Sequence, residues 1–274
     1  MKKLLLVIFI LLAFPLNALE ESLFILDNVQ LGSFVFPTVS AVAAPPATPT
    51  ASSNGNDAYV VLLLHGDGAD GAQVFPDESA GSSPTHTMTV VLDTQVDTAI
   101  KQLGSGSILF DGVGDRLTAP DSADWYFGTG DFTIDYWIYY IYRGTFSATI
   151  EQREAGDVNS WTIFMNSNNC VFQNYPGSAT ISISNAWNPS DDTWYHFAVV
   201  RNGNNFYMFV DGTQIGSTQV DADPVNDYNA LLTLGYVGGG ANSYLYGQMD
   251  EIRISKGIAR WTSNFTPPTA NYSE

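Results

Sequence analysis

Oxygen-bearing side chains crowd the loops of this sequence, and they define the first chemistry it could do. The segment from His65 to Asp77 (HGDGADGAQVFPD) sets Asp67, Asp70 and Asp77 around Gly66, Gly68 and Gly71. A hard cation such as Ca²⁺ takes roughly six to eight oxygens from carboxylates, carbonyls and water, and a glycine-rich loop can turn its carbonyls inward to supply them. Two further acidic groups read as solvated turns: Asp111, Asp115, Asp121 and Asp124, and then Asp221, Asp223 and Asp227 around Pro224. A second chemistry is sugar binding, in which exposed aromatic faces stack on rings and amides or carboxylates meet hydroxyls. Trp187 in NAWNPSDD, Tyr175 in NYPG, and Tyr236 and Tyr244 beside GGGANSY are the loop aromatics placed for it. The run Gly238–Gly240 reads as a flexible rim, because no helix start follows to make a phosphate loop.

Catalytic patterns are weaker. Glu151 and Glu154 are three apart, so on a strand they point to opposite faces. His65, His86 and His196 are scattered along the chain, and the Gly-x-Ser fragments lack the strand–turn–helix setting of a nucleophile elbow. The sequence therefore reads as a non-enzyme.

The elements that must position these groups are short strands. From Trp194 to Gly212 (WYHFAVVRNGNNFYMFVDG), Tyr195, Phe197 and Val199 alternate with His196, Ala198 and Val200; a polar Asn-Gly-Asn-Asn turn follows, then a second alternating run closed by Asp211-Gly212. Aromatic residues on both faces predict a sheet covered on two sides. Similar runs occur at Tyr59–Leu64, Thr87–Leu92, Ser107–Phe110, Phe132–Tyr142, Ser160–Met165, Thr180–Ser184 and Leu231–Tyr236, separated by turn residues. No helix longer than two turns is expected, and the spacing predicts an all-β protein.

Four blocks, in order, resemble the laminin-G-like domains of the concanavalin A-like jelly-roll fold. They are VVLLLHGDGADGAQVFPD from Val60, SILFDGVGDRLTAP with FGTGDFTIDYW between Ser107 and Trp137, the hairpin just described, and LYGQMDEIRI from Leu245 with the tail IARWTSNFTPP. The chain departs from the family pattern at Gly66, where relatives often carry a bulky residue. The resemblance implies a two-sheet antiparallel jelly-roll sandwich over residues 57–274. It also implies a calcium where the opening loop meets the closing strand, which nominates Asp67, Asp77 and Asp250. Retaining glycoside hydrolases of this fold carry a Glu-x-Asp-x-x-Glu strand pattern, which does not occur here.

Composition bounds the partners. The chain has 274 residues and a net charge of −18, from 28 acidic residues against 10 Lys and Arg. Such a polyanion repels nucleic acid and anionic membrane surfaces. Cys170 is the single cysteine, so no intrachain disulfide is available. Residues 1–18 read as a secretory signal, with Lys2 and Lys3 ahead of an apolar run too short to span a bilayer, so no membrane span is expected after cleavage. Residues 19–56 read as an apolar N-terminal arm, Ser22 to Val42, running into a Pro/Ala/Ser/Thr-rich linker. The expected function is a secreted or cell-surface recognition module for carbohydrate or another cell-surface ligand, stabilised by calcium. The alternative is a structural or adhesive subunit of a filament, surface layer or virion, self-associating through Ser22–Val42. A glycoside hydrolase or lyase is the remote third reading.

Overall fold

The computed structural model describes residues 55–154, 159–178, 180–238 and 243–273, together with the backbone but not the side chain of Ala148. The signal segment, the arm and the linker up to residue 54 lie outside the described residues. Two antiparallel sheets make up the fold, as the resemblance implied, and the regular helix among the described residues is one 3-10 turn, Ala123–Trp125. No helix among them is long and apolar enough to cross a membrane.

The first sheet has eight strands. Its path runs β13 (Thr213–Val220), β12 (Asn205–Val210), β11 (Trp194–Asn202), β6 (Phe132–Tyr140), β15 (Tyr246–Lys256), β4 (Ser107–Asp111) and β3 (Gln95–Asp97), with β1 (Val60–Leu64) also pairing β15. The second sheet has seven: β10 (Ile181–Ala186), β9 (Asn169–Tyr175), β8 (Ser160–Asn166), β7 (Phe146–Arg153), β14 (Leu232–Leu234), β5 (Arg116–Ala119) and β2 (Thr89–Val91). The expected hairpin is β11–β12. Its partner turn at Asp211-Gly212 has both φ angles positive, +48° and +71°, as a two-residue turn matched to strand twist requires.

One apolar core fills the space between the sheets, with Trp125, Phe132, Trp161, Phe172, Phe197 and Phe206 among its buried members. Cys170 is buried in it as well. The outer face of the eight-stranded sheet is covered too. Trp261 and Phe265 stack with centroids 3.9 Å apart over Ala198, Val200 and Phe209, and Tyr272 packs with Val60 and Leu63. That explains the aromatic residues on both faces of the hairpin.

The covered face also carries buried charge. Asp135 and Arg253 are cross-strand partners; Arg253 Nε lies 3.0 Å from Asp135 Oδ1, and its guanidinium sits 3.7 Å above the Tyr272 ring. The Tyr272 hydroxyl donates to Asp135, whose Oδ2 lies 3.4 Å from His196 Nε2. Burial raises the Asp135 pKa, but Arg253 and His196 outweigh it and hold the carboxyl well below its usual range. Arg253 also donates to the Gly55 carbonyl at 3.1 Å, and Asn56 N–H to the Ser273 carbonyl at 3.0 Å. Both ends of the sandwich are thus fastened over this one face.

Candidate functional site

The outer face of the seven-stranded sheet has a different character. Alternation along each strand sends one set of residues into the core and the other outward. In register, the outward residues Ser182, Gln173, Thr162, Glu151, Thr233, Thr118 and Thr89 are successive cross-strand neighbours, one from every strand. At about 4.8 Å per strand this polar row spans roughly 29 Å across the sheet. Five hydroxyls, one amide and one carboxylate supply both donors and acceptors along it.

Glu151 stands at the middle of the row and is 3 % exposed. Its Oε1 accepts the Gly238 N–H at 2.7 Å, and its Oε2 lies 2.9 Å from Arg153 Nε. Burial pushes its pKa up, against the pull of Arg153 and the Gly238 amide. The row passes beneath the start of the glycine-rich loop at Glu151; Thr162, Thr233 and Thr118 beside it are buried too, Gln173 is half-buried, and the end residues Ser182 and Thr89 are exposed. A Cβ at Gly238 would fall 2.7 Å from Arg153 Cδ, so a larger residue there would have to displace the Arg153 side chain.

Aromatic side chains flank the row. Tyr236 and Tyr244 come together across an isolated bridge, rings stacked 4.6 Å apart and half-buried, with the Arg116 guanidinium 5.7 Å from the Tyr236 centroid. On the other strands Phe146 and Phe164, also half-buried and on outward positions, stack at 5.1 Å. Tyr175 ends β9, half-buried and on the outward parity of Gln173. Of the four loop aromatics nominated from sequence, these three tyrosines lie on this face. Trp187 does not join them. It is half-buried against the core, stacked on Phe197 at 5.7 Å and edge-on to Tyr195 at 5.5 Å, so it serves packing.

The nominated calcium ligands are held apart by different partners. Asp67 Oδ1 accepts from the Ser105 amide, from Ser105 Oγ at 2.9 Å and from the Gly106 N–H at 3.1 Å, while its Oδ2 accepts from Asn271 at 2.8 Å. Burial tends to raise its pKa; these hydrogen bonds prevail and lower it. Asp77 accepts the N–H groups of Leu63, Ser79 and His86. Asp250, fully buried on β15, accepts from Gln102 and Leu103 through Oδ2, and its Oδ1 has no partner. Burial lifts its pKa to about 7. Among the described residues no group of three or more His, Cys, Asp or Glu is arranged to hold a metal. Gly66, the departure from the family pattern, has φ +73°, and a Cβ there would meet the Ser107 Cα at 3.0 Å.

Sequence reading missed the row itself. Its only local sign is threonine or serine at the outward position of strands whose inward positions are apolar, and the register that aligns seven strands is not written in any one of them.

Several solved structures share the fold. The binding domain of Paraclostridial Mosquitocidal Protein 1 matches with a TM-score of 0.57 at 16% identity, over 74% of this chain and 50% of its own. The botulinum neurotoxin serotype G binding domain matches at 0.55 and 15% identity, over 73% and 49%. Domain 4 of AbnA, an extracellular arabinanase from Geobacillus stearothermophilus solved with arabinotriose, matches at 0.52 and 14% identity, over 73% of this chain and 93% of that domain. The chain thus spans about half the length of the toxin binding domains and nearly all of the arabinanase domain. No curated protein sequence matches it. Residues 111–260, more than half of the chain and most of both sheets, match the family described as the concanavalin A-like lectin/glucanases superfamily, and this protein belongs to that superfamily.

Proposed function

We propose that this protein is a non-catalytic carbohydrate-binding module that holds an extended neutral glycan on the outer face of its seven-stranded sheet. The observation that carries the reading is the pair of half-buried aromatic stacks on this face, Tyr236 with Tyr244 and Phe146 with Phe164, set beside a polar row whose accessible members are Ser182, Gln173 and Thr89. Hydroxyls exchange hydrogen bonds with hydroxyls in both directions, and fixed aromatic faces give apolar area at low entropic cost. The opposite face is covered by the chain's own tail over Ala198, Val200, Phe209, Val60 and Leu63. The arabinanase domain crystallised with arabinotriose supports the ligand class, and the extracellular setting of that enzyme supports an extracellular one here.

Glycoside hydrolysis takes two carboxylates flanking the bond. Glu151 has Thr162 and Thr233 as cross-strand neighbours, and both its oxygens are engaged, which supports binding without turnover. Calcium stays outside this proposal: Asp67, Asp77 and Asp250 accept from three separate sets of donors, and Asp250 Oδ1 accepts from none.

A glycan array on the full chain tests the function, followed by calorimetry with any oligosaccharide it returns. Tyr236→Ala is expected to weaken that oligosaccharide about tenfold, a loss of about 1.4 kcal/mol. An array with no neutral glycan bound, or a Tyr236→Ala titration matching the parent protein, would discard this face as the site.

A further inference from the structure

At the β2–β5 edge of the same sheet, between the segment 81–87 and the turn 120–124, lies a cavity of about 470 Å³. That is within the roughly 300–1,000 Å³ of small-molecule sites. Its position continues the polar row. Thr89 and Thr118 end the row as cross-strand partners, and Thr87 and Pro120, two residues along from each, line the cavity. Between them Met88 and Ala119 face the core, so the outward side of both segments runs on into the cavity.

The cavity is built around Asp124. Its Oδ2 receives His86 Nε2 at 3.0 Å, Ser122 Oγ at 3.2 Å and Ser82 Oγ at 3.4 Å. Its Oδ1 takes no hydrogen bond among the described residues, and the side chain is 29% exposed. One oxygen is therefore held by His86 and Ser122, with Ser82 Oγ a longer neighbour that lies nearer the Pro84 carbonyl at 3.0 Å, while the other remains free to accept. His86 is itself braced, with its ring 4.4 Å from that of Trp125 and its N–H 2.8 Å from Asp77 Oδ2. Ser82 and Asp124 both meet the same nitrogen of His86. A hydrolytic triad needs hydroxyl and carboxylate on opposite ring nitrogens, so this constellation is not an activated nucleophile. The remaining lining side chains are hydroxyls, prolines and Asp121, with no Lys or Arg to attract an anion.

We propose that this cavity receives the terminal unit of the glycan that lies along the row, with Asp124 Oδ1 accepting hydrogen bonds from that unit's hydroxyls. The proposal rests on the carbohydrate reading and adds that the module reads chain ends. Saturation-transfer NMR on the full chain, with free L-arabinose, D-glucose and D-galactose and with the neutral trisaccharide of each, tests it. At least one free monosaccharide is expected to receive saturation from the parent protein. That signal should vanish in Asp124→Ala and in Thr85→Trp, which fills the cavity from an exposed position without touching the His86–Asp124 pair. It should survive Tyr236→Ala. A monosaccharide signal that persists in either cavity variant, or trisaccharide binding with no monosaccharide signal, overturns the cavity proposal and leaves the row standing. Silence from every saccharide overturns both.

Discussion

Asp250, nominated from sequence for its oxygens, matters physically through its burial. Its carboxyl is buried with one oxygen unpartnered, and burial lifts its pKa from 3.8 to about 7. The native state then holds a proton that the unfolded chain has released, so stability falls as pH rises from about 4 to 7 and stays lost above. At about 1.36 kcal/mol per pKa unit the loss is on the order of 4 kcal/mol. Asp250→Asn keeps an acceptor for the Gln102 and Leu103 amides without the charge. It is expected to raise the melting temperature by several degrees at pH 8 and to leave it nearly unchanged at pH 4; equal shifts at both would show that Asp250 is not protonated in the fold. Loop aspartates are hard to sort from sequence, because capping and coordination ask for the same residue. Asp57, Asp77, Asp97, Asp111 and Asp221 each accept the N–H two residues on, the local turn that also places Asp beside Gly. Sequence cannot tell a carboxylate spent on its own loop from one awaiting an ion.

Among the elements, the tail after β15 is the one whose work is least visible in sequence. Trp261 and Phe265 cover Ala198, Val200 and Phe209, and without them those outward positions of the central hairpin would face water. Trp261→Ala is expected to cost about 3–5 kcal/mol, read by denaturant unfolding; a cost under about 1 kcal/mol would mean the tail is an ornament. Strands with a dense apolar period, such as Phe132–Tyr140 and Trp194–Asn202, were legible at once. Others were not. Asn169–Tyr175 mixes Asn, Cys and Gln into its alternation, and Thr213–Val220 is an edge strand with few buried positions and almost no period. The polar row was legible only in its parts, since threonine at an outward position is ordinary until register lines up seven of them.

Over the whole molecule, protons and charge act in one direction. His65 lies 2.6 Å from Glu251 and 3.5 Å from Glu78; burial lowers its pKa, but these carboxylates prevail and raise it above 6.5. Its contribution is complete below 6.5 and disappears as pH climbs through the raised value. Asp250 adds the same slope, and a net charge of −18 adds self-repulsion as the acids ionise. Asp67 and Asp135, with lowered pKa values, oppose it only below about 4. Stability is therefore expected to peak in mildly acidic solution and decline steadily to pH 8, measured as urea midpoints; a maximum at or above pH 8 would contradict this balance. The pairing of Gly55 with Ser273 has a practical corollary. A label attached at Gly55 or Ser273 is therefore expected behind the sandwich, on the side of Arg253, and leaves the outer face of the seven-stranded sheet open to solution.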